Sequence, residues 1–285
     1  MSEIPTRLNA AATLEQFTEK SRRHSLGLPL LHWKRQWSES GGAGVTIGLL
    51  DTGFDRNFPD IKSPTITSRD FIPSMQQSTE NLEHGTYSVL MLAGQGKKII
   101  RGIAPLSHLL VAVVVDAMGV ASPKRVSEGI EWLISKGAQV VAIPLGEPTV
   151  HSEISDLIQK GSNDGVIFCA AAGNHHPHPI LFPASHPLTI AVGASDSLGS
   201  LLPDCCRVPR LDLVAPGLIN IPDTSCPKII RYPSGSSVAC VLVAGTVALA
   251  LSSGIISTDT LTRGSVLEAL TGGRGSRRHG SGPSC

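Results

Sequence analysis

The stretch Val45-Thr-Ile-Gly-Leu-Leu-Asp51-Thr52-Gly53 decides the fold. An uninterrupted apolar run of this length, bounded by an acid and a glycine, predicts a buried strand of a parallel sheet that ends in a sharp turn. Ligands of open α/β sheets bind beyond the carboxyl ends of strands, which makes Asp51 a candidate for chemistry. An aspartate after a strand also serves as a turn residue or helix cap, so the motif needs partners.

Further buried strands are predicted at His108–Val115, Val140–Pro144, Val166–Ala170, Leu188–Val192 and Leu211–Val214. Helix-length segments separate them. Ser122-Pro123 is an N-cap followed by a first-turn proline, and the helix it opens runs through Glu131-Trp132 to Lys136-Gly137. A second helix is expected from Val150 to about Asn163, and a third from Ser237 along the apolar run Val238–Leu251. Strand and helix alternate, which predicts right-handed crossovers and a doubly wound, mostly parallel sheet with helices on both faces. A chain of 285 residues supports one such core, placed at residues 41–271. Residues 1–40 are polar and irregular, with no room for a folded inhibitory pro-domain, and read as an N-terminal arm over that domain. Residues 272–285, rich in Gly, Ser and Arg, read as a disordered tail.

A formal net charge of +1 gives no electrostatic footprint for nucleic acid or an anionic membrane. The N-terminus has no apolar signal region and no stretch is long enough to span a bilayer, which predicts a soluble, cytoplasmic chain. The six cysteines, Cys169, Cys205, Cys206, Cys226, Cys240 and Cys285, follow neither a disulfide framework nor zinc spacing, and reduced thiols are expected. His175-His176-Pro-His178 lacks a complementary ligand and reads as a loop without metal. No cofactor is expected, and the residues carry no information on oligomeric state.

Three further pieces join Asp51. His84-Gly85-Thr86 precedes the apolar run Ser88–Ala93, placing an imidazole at the entrance of a buried helix. Gly235-Ser236-Ser237 opens the long apolar helix, where unpaired N–H groups and the macrodipole stabilise negative charge near a serine hydroxyl. Ala170-Ala-Ala172-Gly173-Asn174 ends another strand and aims an amide donor at the same crevice. An orienting acid, a base, a nucleophile and an oxyanion donor thus fall at strand ends and helix starts, in the chain order Asp, His, Ser.

From about Val45 to about Gly245 the sequence resembles the subtilisin-like serine proteases. The matching pieces are Asp51-Thr-Gly, His84-Gly-Thr, Gly102-Ile-Ala-Pro105, Glu131-Trp132 before Lys136-Gly137-Ala138, Leu145-Gly146, Ala171-Ala-Gly-Asn174, Phe182-Pro-Ala-Ser-His-Pro187, Ala191-Val-Gly-Ala194, Val214-Ala-Pro-Gly217 and Gly235-Ser-Ser237. The resemblance implies a serine endopeptidase with Ser237 as nucleophile, His84 as general base and Asp51 orienting it. Asn174 is then the side-chain donor of the oxyanion hole, and Val140–Gly146 the edge on which a peptide substrate pairs. It implies a first substrate pocket walled by Leu145, Gly146 and Glu147 and by Ala171, Ala172 and Gly173, with Leu181 at its base. Glu147, and Glu80 at the next subsite, are candidate partners for a basic side chain.

Several positions depart from the family pattern. Val241-Leu242 stands where the family has proline and histidine, Tyr87 and Leu90 replace a histidine and a glycine near the base, and Pro144 replaces a serine. In the segment Gly94–Ile100, Lys97 and Lys98 replace the oxygen ligands of a calcium loop, so no calcium is expected there. Two other readings follow the same residues: a pseudopeptidase that only binds extended peptides, and an intracellular protease dedicated to maturing one precursor peptide.

Overall fold

A computed structural model describes residues 8–21, 31, 37–61, 65–73, 82–97, 100–219, 221–222, 230–231 and 233–272. In chain order the elements are β1 (Leu8–Asn9), α1 (Ala10–Ser21), α2 (Trp37–Ser40), β2 (Thr46–Asp51), β3 (Ile66–Asp70), α3 (Glu83–Ala93), β4 (Ile100–Arg101), β5 (His108–Val113) and α4 (Pro123–Ser135). They continue as β6 (Val140–Ile143), α5 (Ser152–Asn163), β7 (Ile167–Ala171), β8 (Thr189–Ser195), β9 (Leu213–Pro216), β10 (Ile221–Pro222), β11 (Ile230–Arg231), α6 (Ser236–Ser252) and α7 (Arg263–Thr271).

Seven strands form one sheet in the order β3-β5-β2-β6-β7-β8-β9, and every pairing in it is parallel. Alternate residues of each strand enter opposite layers, as a period of two requires. Ile47, Leu49, Leu109, Val111, Val140, Ala142, Ile167 and Cys169 face the layer holding α3 and α6, while Leu50, Leu110, Ala112, Val141, Ile143 and Phe168 face α4 and α5. This is the doubly wound arrangement that the apolar runs predict. From β2 the chain moves outward to β3 and β5 on one side, then returns to build β6–β9 on the other. The crevice at that reversal lies at the carboxyl end of β2, where Asp51 stands.

The local signals hold for α4. Ser122 Oγ accepts from Arg125 N at 3.4 Å and Pro123 occupies the first turn. Gly129 brings that helix against the sheet, because a β-carbon there would meet Val114 at 2.9 Å. α6 is the central element of the other layer. Each fully buried Val or Leu on it contributes roughly 1.5–3 kcal/mol relative to exposure. With Val241-Leu242 in place of a proline, α6 continues unbroken to Ser252.

Three expectations are corrected. The N-terminal arm is not irregular throughout: α1 is capped by Asn9, whose Oδ1 accepts from Ala11 N at 3.0 Å, and it buries Ala10, Leu14 and Phe17 in the main core. Leu31 is also buried and donates its N–H to Val214 O on β9 at 2.8 Å. Second, α6 begins at Ser236 with Gly235 as N-cap, so Ser237 is its second residue and not its first. Third, Val140–Ile143 is not an edge, because β6 is paired to β2 on one side and to β7 on the other. Only Pro144–Gly146 projects beyond the sheet. Residues 273–285 lie outside the described residues, as do Glu80, Lys98, Cys226 and Cys285.

Candidate active site

Asp51, fully buried at the end of β2, accepts through one oxygen from Thr52 N and contacts His84 Nδ1, each at 2.7 Å. Burial holds the carboxylate still, and the short contact fixes the ring nitrogen that faces it. The His84 side chain is 44% exposed, so its other edge, with Nε2, is open to a ligand. The Asp51 charge is the main cause of a His84 pKa raised above its ordinary value of 6.5; burial opposes that shift and the hydrogen bond to Asp51 adds to it.

A glycine permits this contact. Gly85 approaches so closely that a β-carbon on it would lie 2.4 Å from Gly53 O, and its N–H donates to Thr52 Oγ1 at 2.8 Å. Thr86 Oγ1 accepts from Asp55 N at 2.9 Å, which fastens the next residue of α3 to the same turn. Tyr87, in place of the family histidine, is buried and donates to Glu83 Oε1 at 3.1 Å.

On the other side of the crevice, every residue of α6 from Ser236 to Leu251 is buried except Ser237. As the one residue of that run that is not buried, Ser237 is the position of the helix open to a ligand. One turn further, Cys240 Sγ donates to Cys169 O on β7 at 3.2 Å and feels the Asp51 charge. Cys240 therefore lies against the middle of β7 and close enough to the end of β2 to feel Asp51. Burial, with the Asp51 charge adding to it, pushes the Cys240 thiol up to about 12. The Cys169 thiol is raised as well, again chiefly by burial, so both thiols stay neutral.

The turn that carries Asn174 is tied to the start of α6. Gly173 N donates to Ser236 Oγ at 3.0 Å, and Ser236 N donates to Asn174 Oδ1 at 2.9 Å. With its oxygen engaged in this way, the Asn174 amide presents its N–H₂ end as the free donor. Gly235, at φ +112°, leaves room for that group: a β-carbon there would come within 2.6 Å of Asn174 Nδ2. The sequence reading missed Ser236 as a clamp. Its only signal was the glycine before a Ser-Ser pair.

Gly146, Ala172, Gly173 and Leu181 come together, Leu181 N donating to Ala172 O at 3.0 Å, but the space between them is filled. Leu181 stands between the walls, such that β-carbons built on Gly146 and Gly173 would meet it at 2.9 Å and 2.8 Å. Leu145, Gly146 and Glu147 instead line a cavity of about 310 Å³ whose opposite wall is Val115, Val120, Val126 and Ile154. Glu147 is already engaged, with His151 Nε2 2.9 Å from its Oε1. The contact is close but makes no hydrogen bond, and Nε2 has no hydrogen-bond partner among the described residues. Among the described residues, the peptide groups of Leu145 and Gly146 have no backbone partner.

No group of three or more His, Cys, Asp or Glu stands together as a metal cage among the described residues. In the segment read as a vestigial calcium loop, Gln95 Nε2 donates to Ala93 O and Pro105 O at 2.8 and 2.9 Å. Two carbonyls that flank the segment thus serve a protein amide. No described helix is long and apolar enough to cross a membrane.

A buried acid paired with an imidazole at the carboxyl end of a parallel strand, on a sheet covered by helices on both faces, is an arrangement suited to hydrolytic chemistry on an α/β fold. Residues 42–280 match the model of the subtilase family, and the chain belongs to that family of serine endopeptidases. Subtilisin of Bacillus pumilus is 32% identical over 217 residues, covering 74% of this chain and 78% of that protein. Subtilisin E of Bacillus subtilis is 31% identical, and the match takes in 56% of its length, so this chain spans little more than half of that relative. Among solved structures, the prenylagaramide maturation protease PagA superposes with a TM-score of 0.67 at 28% identity, covering 78% of this chain and 80% of that one. The self-cleaved protease domain of PatA gives 0.65 at 25% identity, covering 74% and 81%.

Proposed function

We propose that this chain hydrolyses peptide bonds by acyl transfer, with Ser237 as nucleophile, His84 as general base and then acid, and Asp51 orienting the imidazole. Two observations carry the reading: Ser237 is the one residue between Ser236 and Leu251 on α6 that is not buried, and His84, its Nδ1 engaged by Asp51, keeps a side chain that is 44% exposed. His84 Nε2 takes the hydroxyl proton as Ser237 Oγ attacks the carbonyl carbon. The same proton passes to the leaving amine, and water then hydrolyses the acyl-enzyme in a second pass. Asp51 stabilises the imidazolium in both steps. Charge developing on the carbonyl oxygen meets Asn174 Nδ2 and the Ser237 N–H at the positive end of α6.

An extended peptide would pair with the free backbone of Leu145 and Gly146, and the apolar cavity beside them would take one of its side chains. The test is labelling with a fluorophosphonate, which needs an activated serine. Stoichiometric labelling of the full chain that disappears in Ser237→Ala supports the reading, and absence of labelling at any pH leaves a peptide-binding pseudopeptidase in its place. A narrower reading, a protease dedicated to one precursor peptide, is favoured by the likeness to PagA, a maturation protease by name. It predicts cleavage at one bond of one precursor and poor turnover of a random peptide library.

A further inference from the structure

We infer that Cys206 is a positioning residue for Asn174, holding from behind the turn whose front is held by Ser236. The inference rests on the oxyanion role proposed for Asn174. Cys206 is fully buried and grips both neighbours of Asn174 at once. Its N–H donates to Gly173 O at 3.0 Å, and its Sγ accepts from His175 N at 3.4 Å. The adjoining Asp204 O accepts from His176 N at 2.8 Å, so the turn is bound to this loop at three successive points along it. A β-carbon on Gly173, at φ +107°, would lie 3.2 Å from the same sulfur, which leaves the turn no slack in that direction.

The division of labour is physical. Ser236 sets which end of the Asn174 amide faces the crevice, by donating to its oxygen. Cys206 sets where the Asn174 backbone lies, because the residues on either side cannot move without breaking a bond to it. Cys206 touches no reacting atom, and its effect must pass through Asn174. Oxyanion stabilisation depends on donor placement to within tenths of an ångström, so loss of one anchor is expected in turnover and not in substrate binding. The main-chain bond to Gly173 survives substitution; only the sulfur acceptor is removed, with a small void.

A double-mutant cycle in the full chain separates positioning from general stability. Cys206→Ala is expected to lower kcat about fivefold, the equivalent of one net hydrogen bond, with KM changed by less than about twofold. Cys206→Ser keeps an acceptor on a shorter arm and should recover part of that loss. In an Asn174→Ala background, Cys206→Ala should change kcat by less than about twofold, because the group it positions is gone. Equal fold losses in the two backgrounds, or an unchanged kcat in the first, overturn the inference while leaving the oxyanion role of Asn174 intact. A fully active Asn174→Ala single variant overturns that role and this inference together. Should Cys206→Ala fail to fold, Cys206→Ser completes the same cycle.

Discussion

The Gly85 N–H donates to Thr52 Oγ1 at 2.8 Å, and a β-carbon on Gly85 would stand 2.5 Å from Thr52 O. This contact joins the end of β2 to the start of α3 across 33 residues of sequence, and it brings the Asp51 carboxylate and the His84 imidazole, on adjoining residues, within reach. Gly85→Ala must push α3 away from backbone atoms that cannot rotate aside. The expected cost is about 3 kcal/mol or more of unfolding free energy, the upper range for overpacking a rigid site. Urea denaturation checks it, and a loss below about 1 kcal/mol would mean that α3 docks with more freedom than this contact allows.

Ser237→Ala removes one half-exposed oxygen from a helix whose remaining residues to Leu251 are buried. The fold should therefore persist, with a melting temperature close to that of the parent. Turnover of peptide substrates should fall by about 10⁶, the loss seen when the triad serine of subtilisin is removed. Retained turnover in a folded variant would show that another group attacks the carbonyl.

The His84 pKa is raised chiefly by the Asp51 charge. The base must be neutral to accept a proton, so kcat/KM should rise with pH along a limb whose midpoint lies above the ordinary histidine value of 6.5. The sign for stability is opposite. The ion pair's contribution is fully present below the unfolded pKa and is lost as pH rises through the higher folded one. Asp51→Asn removes the main cause and leaves burial, which lowers the pKa, so the ring should then titrate at lower pH. Imidazole NMR titration in a Ser237→Ala background measures this without autolysis, and an unchanged midpoint in Asp51→Asn would place the cause of the shift elsewhere.

The central strands and the helix starts that hold Asp51, His84 and Ser237 are legible because each rests on a short-range pattern: an apolar run closed by Asp51, or an apolar helix opened by His84-Gly85 or Gly235-Ser-Ser. β3 was not legible. As the outermost strand of the sheet it is largely exposed, and Ile66-Thr-Ser-Arg-Asp70 carries little apolar signal. For α1 and α7 the signals were present and went unread. Ala10, Leu14 and Phe17 recur at helical spacing after Asn9, and Thr262 forms a capping box with Ser265 before Gly272 ends α7 in the left-handed region. The clamps on Asn174 belong to another category. Ser236 and Gly173 are 63 residues apart and Cys206 and His175 are 31, and only the folded sheet brings their segments together.

Leu181 supports the last prediction, which concerns the residue preceding the cleaved bond. Its side chain occupies the gap between Gly146 and Gly173, so the pocket expected from the resemblance is closed at its base. Small or medium aliphatic residues should lead at that position in the cleavage products of an unbiased peptide library, with Phe and Tyr disfavoured. Leu181→Gly should open the gap and shift preference toward aromatic side chains by at least about 10–200-fold, the range for misfitting one methylene-sized group. Glu147 lies close to His151 Nε2, so any preference for Lys or Arg that it supplies should be stronger in His151→Ala than in the parent. A parent enzyme that already prefers Phe would show that Leu181 swings aside when substrate binds, and the preference would then reside in the cavity lined by Val115, Leu145 and Ile154.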